Sequence, residues 1–297
     1  MSDLTVLVPL DGSKQAELAL AFLAALKPLP NLRVRLLTVA ESDSSIDPAE
    51  ETRREKLARE YLDGVTERTR ANAGLPIDCV YRTGKAHEEI LEEARRDDVN
   101  LVLMTSHGRT ITDPERLGSV ADKVVRGASC PTLLVGPRAS VPLQIEQITV
   151  PLDGSSLAAE ALPVARSLAE RLASRLRLVR AVEQPPVDVD AIGSLAADVI
   201  ESVGLTASLY LSEAKLELET SAPVETAVLY GLPTEALLTD VTEHRPDLLV
   251  MTSHGHTGFI RWALGSVTDR MIRGPVPVLV LRPQQEAGER LKPLSER

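Results

Sequence analysis

Aromatic residues are scarce in this chain, with one Trp, four Tyr and two Phe among 297 residues. So few rings deny it the stacking platforms on which single-strand binders lay their bases. Basic residues are outnumbered as well. Thirty-three Lys and Arg face 43 Asp and Glu, for a net charge of -10, whereas a duplex binder needs clustered cations to neutralise phosphates. Nucleic acid is therefore not an expected partner. Long apolar runs are missing too: Leu18 to Leu26, the longest without a charge, is nine residues, far short of the ~18 that suggest a membrane span. No segment is expected to cross a bilayer. Met1, Ser2 and Asp3 bring no basic cluster to the first apolar run, so no secretory signal is expected and a cytoplasmic location follows by default. Cysteine is limited to Cys79 and Cys130. Neither belongs to a CxxC or lies near a His pair, so both are expected to be buried structural thiols rather than zinc ligands or disulfide partners.

What the chain does have is an ordinary globular balance, 43% apolar and 26% charged, and a length that suits two domains of about 100 to 200 residues. Self-comparison shows how it is organised. Val8-Pro9-Leu10-Asp11-Gly12-Ser13 returns as Val150-Pro151-Leu152-Asp153-Gly154-Ser155, an offset of 142. Met104-Thr105-Ser106-His107-Gly108 returns as Met251-Thr252-Ser253-His254-Gly255, and Leu117-Gly118-Ser119-Val120 as Leu264-Gly265-Ser266-Val267, both at an offset of 147. The extra five residues are expected between Glu183 and Ala222. A unit this long is a whole domain rather than a solenoid repeat.

Within each copy, short β-branched runs alternate with longer amphipathic stretches, the pattern of βα units on a parallel sheet. In the first copy, strands are expected at Leu4–Leu10, Arg33–Ala40, Ile77–Tyr81, Leu101–Ser106 and Thr132–Val135. Helices are expected at Gln15–Leu26, from Pro48 to Gly74, near Ala86–Arg96 and after Gly118. Asp47 can cap the second helix, with Glu50 completing a capping box and Gly74 closing the far end. The second copy repeats the strands near Gln147–Pro151, Leu176–Val182, Glu225–Leu229, Leu248–Ser253 and Val276–Leu281. The fold class is therefore α/β, as two tandem doubly wound, five-stranded parallel-sheet domains, Rossmann-like in arrangement. Residues 1–140 and 144–284 form the domains and 285–297 a polar tail. The Gly-, Pro- and Ser-containing stretch from Gly136 to Gln144 is too short to separate them, so an intramolecular pseudo-dimer is expected.

Ligands of a doubly wound sheet gather at the carboxyl ends of strands where the winding switches. Asp11 and Asp153 follow strand one, where a carboxylate accepts from a sugar diol or caps the next helix. After strand four, Thr105, Gly108 and Gly118-Ser119 have the spacing T-x2-G-x9-G-S, repeated by Thr252, Gly255 and Gly265-Ser266. Glycine there lets main-chain amides approach an anion, and Gly-Ser at a helix start offers amides, a hydroxyl and the positive helix end to phosphate. Alternatively, the glycines merely permit turns and the serines cap helices.

The run Ser253 to Thr268, with Gly265-Ser266-Val267-Thr268 at its end, and the following Arg273-Gly274-Pro275-Val276-Pro277-Val278-Leu279-Val280 resemble the carboxyl-terminal signature of the universal stress protein family. The first copy is similar through Ser106-His107-Gly108, Gly118-Ser119-Val120 and Cys130-Pro131-Thr132-Leu133-Leu134-Val135. The resemblance covers about 95% of the chain. It implies an adenine nucleotide alpha hydrolase-like sheet and a dimer built around the last strands, here supplied by the covalent pair. It also implies ATP, with Mg, bound through G-x2-G-x9-G-[ST], with the strand-one Asp on the ribose and main-chain groups at the end of strand two facing adenine. Carried over, the binding residues are Asp11, Val39, Thr105, Gly108, Gly118, Ser119 and Val120 in the first copy. In the second they are Asp153, Ala181, Thr252, Gly255, Gly265, Ser266, Val267 and Thr268. Thr105 and Thr252 stand where the motif has its first glycine, and a β-branched residue would obstruct any step needing positive φ. Ile111, Asp113, Pro114 and Glu115 burden the first copy's loop with two acids, and Thr268 adds a hydroxyl, so the second copy is expected to be the better site.

Catalytic machinery is not evident. His107 and His254 are expected to shape their turns, Ser13 and Ser155 lack a G-x-S-x-G elbow, and no G-x-x-x-x-G-K-[ST] loop, G-x-G-x-x-G fingerprint or metal-ligand cluster occurs. The acidic segments Glu88–Asp98 and Glu213–Glu219 read as solvated helix faces. Two functions are carried forward: an ATP-binding, nucleotide-dependent stress-response regulator with little or no catalysis, and a nucleotide-free scaffold with degenerate sites. Exposed sheet edges leave room for a homodimer of the two-domain chain.

Overall fold

Local chemistry accounts for where the elements begin and end in the computed structural model, which describes residues 4–41, 47–109, 116–183, 194–253 and 264–282. Strand β1 (Leu4–Leu10) leads into helix α1 (Lys14–Leu26), whose N-cap Ser13 accepts from the Ala16 amide. Strand β2 (Leu32–Ala40) precedes helix α2 (Pro48–Ala73), which starts on the Asp47 carboxylate and stops at Gly74, left-handed at φ 64°. Glycine takes that conformation without the penalty a Cβ brings. The Glu50 side chain, expected to close a capping box, pairs instead with Arg53 and Arg54 one turn on, as neighbouring opposite charges on a helix do. Strand β3 (Ile77–Thr83), helix α3 (Ala86–Ala94), strand β4 (Val99–Thr105), helix α4 (Ser119–Gly127) and strand β5 (Thr132–Val135) complete the first half.

The second half runs through β6 (Gln147–Pro151), α5 (Ser156–Ala159), α6 (Ala161–Leu172), β7 (Arg175–Val182), α7 (Ser194–Glu217) and β8 (Val224–Tyr230). It ends with α8 (Pro233–His244), β9 (Leu248–Thr252), α9 (Ser266–Ile272) and β10 (Val278–Leu281). Its first helix is divided at Glu160. Pro163 explains the break, because it has no amide hydrogen to give and its ring crowds the carbonyl four residues back. The change of offset falls where expected: β2 and β7 end at Ala40 and Val182, while β3 and β8 begin at Ile77 and Val224.

All ten strands join one sheet, ordered β3-β2-β1-β4-β5-β10-β9-β6-β7-β8. Pairing is parallel within each half, and antiparallel between β5 and β10. The two expected five-stranded sheets are thus fused edge to edge, which removes the exposed hydrogen-bonding edge each would otherwise present there. The junction is self-complementary. Thr132 faces Val280 and Leu133 faces Leu279, and at the offset of 147 each residue meets the counterpart of its neighbour, as in an isologous interface. The connecting segment packs on the second half: the Ser140 amide donates to Pro275 O at 3.0 Å, and a Cβ on Gly136 would lie 2.5 Å from Ile272 O.

Helices α1, α2, α5, α6 and α7 cover one sheet face, around Phe22, Leu62, Leu168 and Leu211. Helices α3, α4, α8 and α9 cover the other, around Ile90, Val124, Val241 and Ile272. Both apolar layers run through both halves. A buried ion pair is also duplicated. Arg35 of β2 meets Glu93 of α3 at 3.1 Å, and Arg177 of β7 meets Asp240 of α8 at 2.7 Å. Glu93 is 3% exposed and also holds Arg82 and Arg96, so the 88–98 segment is not simply a solvated face. The cysteines depart from expectation in part. Cys79 is exposed, because β3 is the sheet's outer strand, and its Sγ lies 2.9 Å from Thr66 Oγ1. Cys130 is partly buried, and desolvation pushes its thiol up to about 12.

Candidate functional site

The switch of winding lies between β1 and β4 in the first half and between β6 and β9 in the second. There the strands end unevenly. Pairing of β1 with β2 stops at Leu10–Thr38, while β2 continues along β3 to Ala40–Thr83. Likewise β6–β7 pairing stops at Pro151–Val179, and β7–β8 pairing runs on to Val182–Tyr230. Val39 and Ala181 therefore stand beyond the end of strand one, on the rim of a crevice.

The floor of that crevice is the Asp-Gly-Ser step. Asp11 Oδ1 accepts from the Ser13 amide at 2.9 Å and the Ser13 hydroxyl at 2.6 Å, and Ser13 Oγ accepts from the Ala16 amide at 3.1 Å. Asp153, Ser155 and Ala158 repeat all three distances. The helix caps are the serines, not the aspartates, because the intervening glycines at φ 83° and 89° swing each serine hydroxyl over its helix and leave the carboxylate behind it. Each aspartate is held rigid and remains partly exposed.

Strand four supplies the opposite wall. A Cβ on Gly108 would lie 2.5 Å from Asp11 Oδ2, which also accepts from the Arg109 amide at 2.7 Å. The Gly118 amide donates to Ser106 O at 2.9 Å, and a Cβ there would stand 2.9 Å from the same oxygen. Gly265 repeats the bond, to Ser253 O at 2.8 Å. Gly118 and Gly265 are the N-caps of α4 and α9, both at φ -59° and ψ 143°, and neither helix receives a side-chain cap. Close approach, rather than a positive φ, is what demands glycine at 118. Ser119 and Ser266 are exposed first-turn residues, not caps. Their amides point from the helix start with no intrahelical acceptor.

The threonines at the motif's first position obstruct nothing of the kind expected. Neither Thr105 nor Thr252 has positive φ, and both are buried. Thr105 turns its hydroxyl inward to His107 O at 2.6 Å. Thr268 is a correction: expected to offer a hydroxyl to the ligand, it is 3% exposed and donates to Thr252 O at 3.0 Å. Its place on α9 faces the core, as does Ala121 on α4. His107 is buried between Ser106 Oγ, 2.9 Å from Nδ1, and the carbonyl of Arg116, which meets Nε2. That arrangement makes Nε2 the donor and ties the two ends of the loop together. Gly255, His254, Ile111, Asp113, Pro114 and Glu115, with the polar tail, lie outside the described residues.

Other side chains stand over the floor, and sequence reasoning missed Arg180, Tyr61 and Tyr210 among them. Arg109 donates through Nη2 to Asp11 O. In the second half Arg180 of β7 comes to 2.8 Å from the place of a Gly154 Cβ and stacks 4.8 Å from the Tyr210 ring centroid. Tyr61 on α2 and Tyr210 on α7 look toward Asp11 and Asp153. Burial pushes both phenols upward, assisted at Tyr61 by Glu17 and Asp11, and at Tyr210 by Asp153 against the pull of Arg180. Two of only four tyrosines placed in the two long helices was a signal available from the sequence.

Among the described residues no group of three His, Cys, Asp or Glu side chains could hold a metal ion, and no helix is long and apolar enough to cross a membrane. The model of the Universal stress protein family matches residues 4–136 and 144–282. A universal stress protein of Methanocaldococcus jannaschii is 30% identical over 146 residues, which cover 48% of this chain and 85% of that protein. One from Mycobacterium tuberculosis is 29% identical over 63% of each chain. In solved structures, a universal stress protein from Archaeoglobus fulgidus has the same fold, with a TM-score of 0.73 at 24% identity over 94% of this chain and 98% of that one.

Proposed function

The chain belongs to the universal stress protein family, matched over both of its halves, and from that premise we propose that it is a tandem regulator which binds ATP at the carboxyl ends of its strands, with little or no catalysis. Residues 1–140 and 144–284 are read as its two domains. In each, the strand-one aspartate takes the ribose, main-chain groups at Val39 or Ala181 face adenine, and the glycine-capped helix start takes the phosphates. Gly255 and Val267 belong to the second set, as Gly108 and Val120 do to the first.

One observation carries this reading. In both halves a helix begins on a glycine of the same backbone conformation with no side-chain cap, tied by its amide to the end of the strand that neighbours the one leading to a rigidly held, partly exposed carboxylate. Uncapped amides at a helix start favour an anion, and a fixed carboxylate beside them favours a polyol. The glycine at 118 fits such a group, since any larger residue would intrude on the Ser106 carbonyl. A divalent ion would arrive with the phosphates, which supply the oxygen ligands Mg prefers. It would neutralise their charge, while the chain's own residues hold the ribose and orient the phosphate tail.

The nucleotide-free scaffold remains as a second reading because the Asp11 carboxylate already accepts on both oxygens and Arg109 reaches across it. The two are separated by releasing bound small molecules from freshly purified, denatured protein and by calorimetric titration with ATP and Mg. Copurified adenine nucleotide or saturable binding supports the first. Absence of both rejects it in favour of the scaffold.

A further inference from the structure

The glycine after the strand-one aspartate is flanked by a guanidinium in both halves, yet the arginine comes from different elements. In the first half it is Arg109, from the loop after β4, with Nη2 3.4 Å from the place of a Gly12 Cβ. In the second it is Arg180 of β7, with Nη2 2.8 Å and Cζ 3.0 Å from the place of a Gly154 Cβ. Gly12 and Gly154 have nearly the same φ, 83° and 89°, so the two charges lie on the same side of the same step. At the offset of 142 the counterpart of Arg180 is Thr38, which carries no charge and whose buried Oγ1 has no hydrogen-bond partner among the described residues. A positive charge thus occurs at one point in space twice, supplied in two ways.

The two arginines are not equivalent in their bonding. Arg109 is tied to Asp11 O. Arg180, partly buried, makes no ion pair among the described residues and stacks on the face of Tyr210 at 4.8 Å. The Tyr210 hydroxyl is itself buried without a hydrogen-bond partner among the described residues. A guanidinium drawn partly out of water without a counter-ion is stabilised by any anion that reaches it, and an aromatic face beneath holds its planar fork in one orientation.

We propose that Arg180 contacts the phosphate attached directly to the ribose of a nucleotide in the second half's crevice, with Tyr210 positioning the guanidinium. This rests on the nucleotide reading above. The phosphate nearest the ribose is the one concerned because Arg180 flanks the Asp153–Gly154 step assigned to the ribose.

The test uses the full chain and its Arg180→Met and Arg180→Lys variants, titrated calorimetrically with adenosine, AMP, 3′,5′-cyclic AMP and ATP, with melting temperatures recorded to establish folding. Loss of a charge-assisted contact should weaken AMP and ATP about tenfold or more at one of two sites. Adenosine binding should be unchanged, and lysine should restore part of the loss. Parallel weakening of adenosine and AMP, or no weakening of AMP, overturns the assignment while leaving the nucleotide reading intact. A loss confined to the cyclic nucleotide would move the contact to the 3′ edge of the ribose and equally overturn it. Failure of the unaltered chain to bind any of the four overturns both readings together.

Discussion

Gly118→Ala isolates the feature on which the site depends. The added methyl carbon would stand 2.9 Å from Ser106 O and 3.5 Å from His107 Cα. The second distance is ordinary contact; the first is too close by several tenths of an ångström. Neither neighbour can swing aside, since both are main chain. Ser106 is held by its amide on Val135 O at 3.0 Å and by the Gly118 amide on its carbonyl at 2.9 Å. Alanine tolerates φ -59° and ψ 143°, so no torsional penalty enters and the whole cost is the clash. Overpacking of this kind costs about 1–3 kcal/mol. Relief by stretching the Gly118–Ser106 bond would forfeit about 1 kcal/mol instead. At roughly 2–4 °C per kcal/mol for large domains, calorimetric melting should fall by several degrees. On the proposed nucleotide reading, displacing the first turn of α4 should also remove one ATP site, so titration should drop from two sites per chain to one. Ser119→Ala, which deletes an exposed hydroxyl and leaves the glycine in place, is the control and should melt like the unaltered chain. If Gly118→Ala melts unchanged and still titrates two sites, the loop yields freely and the argument from close approach is wrong.

Three further outcomes follow from the same geometry. Glu93→Ala or Asp240→Ala removes the buried partner of an arginine that keeps its outer one, Asp98 or Glu225, and should cost about 1–3 kcal/mol in urea unfolding, whereas Arg35→Met with Glu93→Leu should recover most of the loss. Cys79 should react with a maleimide in the folded protein at neutral pH while Cys130 does not. Because the Cys130 thiol is raised to about 12 from an ordinary 9, its contribution is complete below pH 9 and disappears as pH climbs toward 12, a decline that Cys130→Ala should flatten. Asp98 is held below the usual carboxylate range by its hydrogen bond from Arg35. Its contribution is therefore present above about pH 4 and lost as pH falls through the lower folded value, and Asp98→Asn should soften the acid transition by no more than about 1 kcal/mol.

Hydrophobic runs located the strands because a strand covered on both faces must be largely apolar, and Leu4–Leu10 and Thr132–Val135 are, apart from Thr5 and Thr132. The helix breaks were legible where one residue decides them, as at Gly74. Pro163 was equally decisive but sits inside an apolar stretch that masked it. Pairing of β5 with β10 was expected only from the family resemblance, which puts the last strands at the junction, since four-residue strands such as Thr132–Val135 carry no record of what lies across their outer edge. At the site, duplication exposed Asp11, Gly108 and Gly118 with their counterparts. It concealed Arg180 for the same reason, because a residue present in one copy only leaves no echo. Thr268 was misread because sequence places it one turn into a helix without saying which side faces the core. Glu93 was misread because its neighbours Glu88, Glu89 and Glu92 suggest a solvated run, while Arg35 waits 58 residues earlier in the chain.

Fusing the halves through an antiparallel pair has a geometric consequence for the two crevices. Strands β1 to β5 all run one way and β6 to β10 the other. Ligands of a parallel sheet sit at carboxyl ends, so the crevices open at opposite margins of one sheet. No single small ligand can bridge them. The route through the sheet from one candidate site to the other is the strip β4-β5-β10-β9, where Thr132, Leu133 and Leu134 face Val280, Leu279 and Val278. Each half of that strip also carries its own β4 or β9, whose carboxyl end is a wall of the site. A displacement of Ser106 would be felt at Val135 through the 3.0 Å bond between them, and Ser253 has the same relation to Leu281 at 2.7 Å. The last strand of each half therefore touches its own site at one end and its twin along its edge. That gives the fused sheet a direct physical connection between two sites that cannot share a ligand.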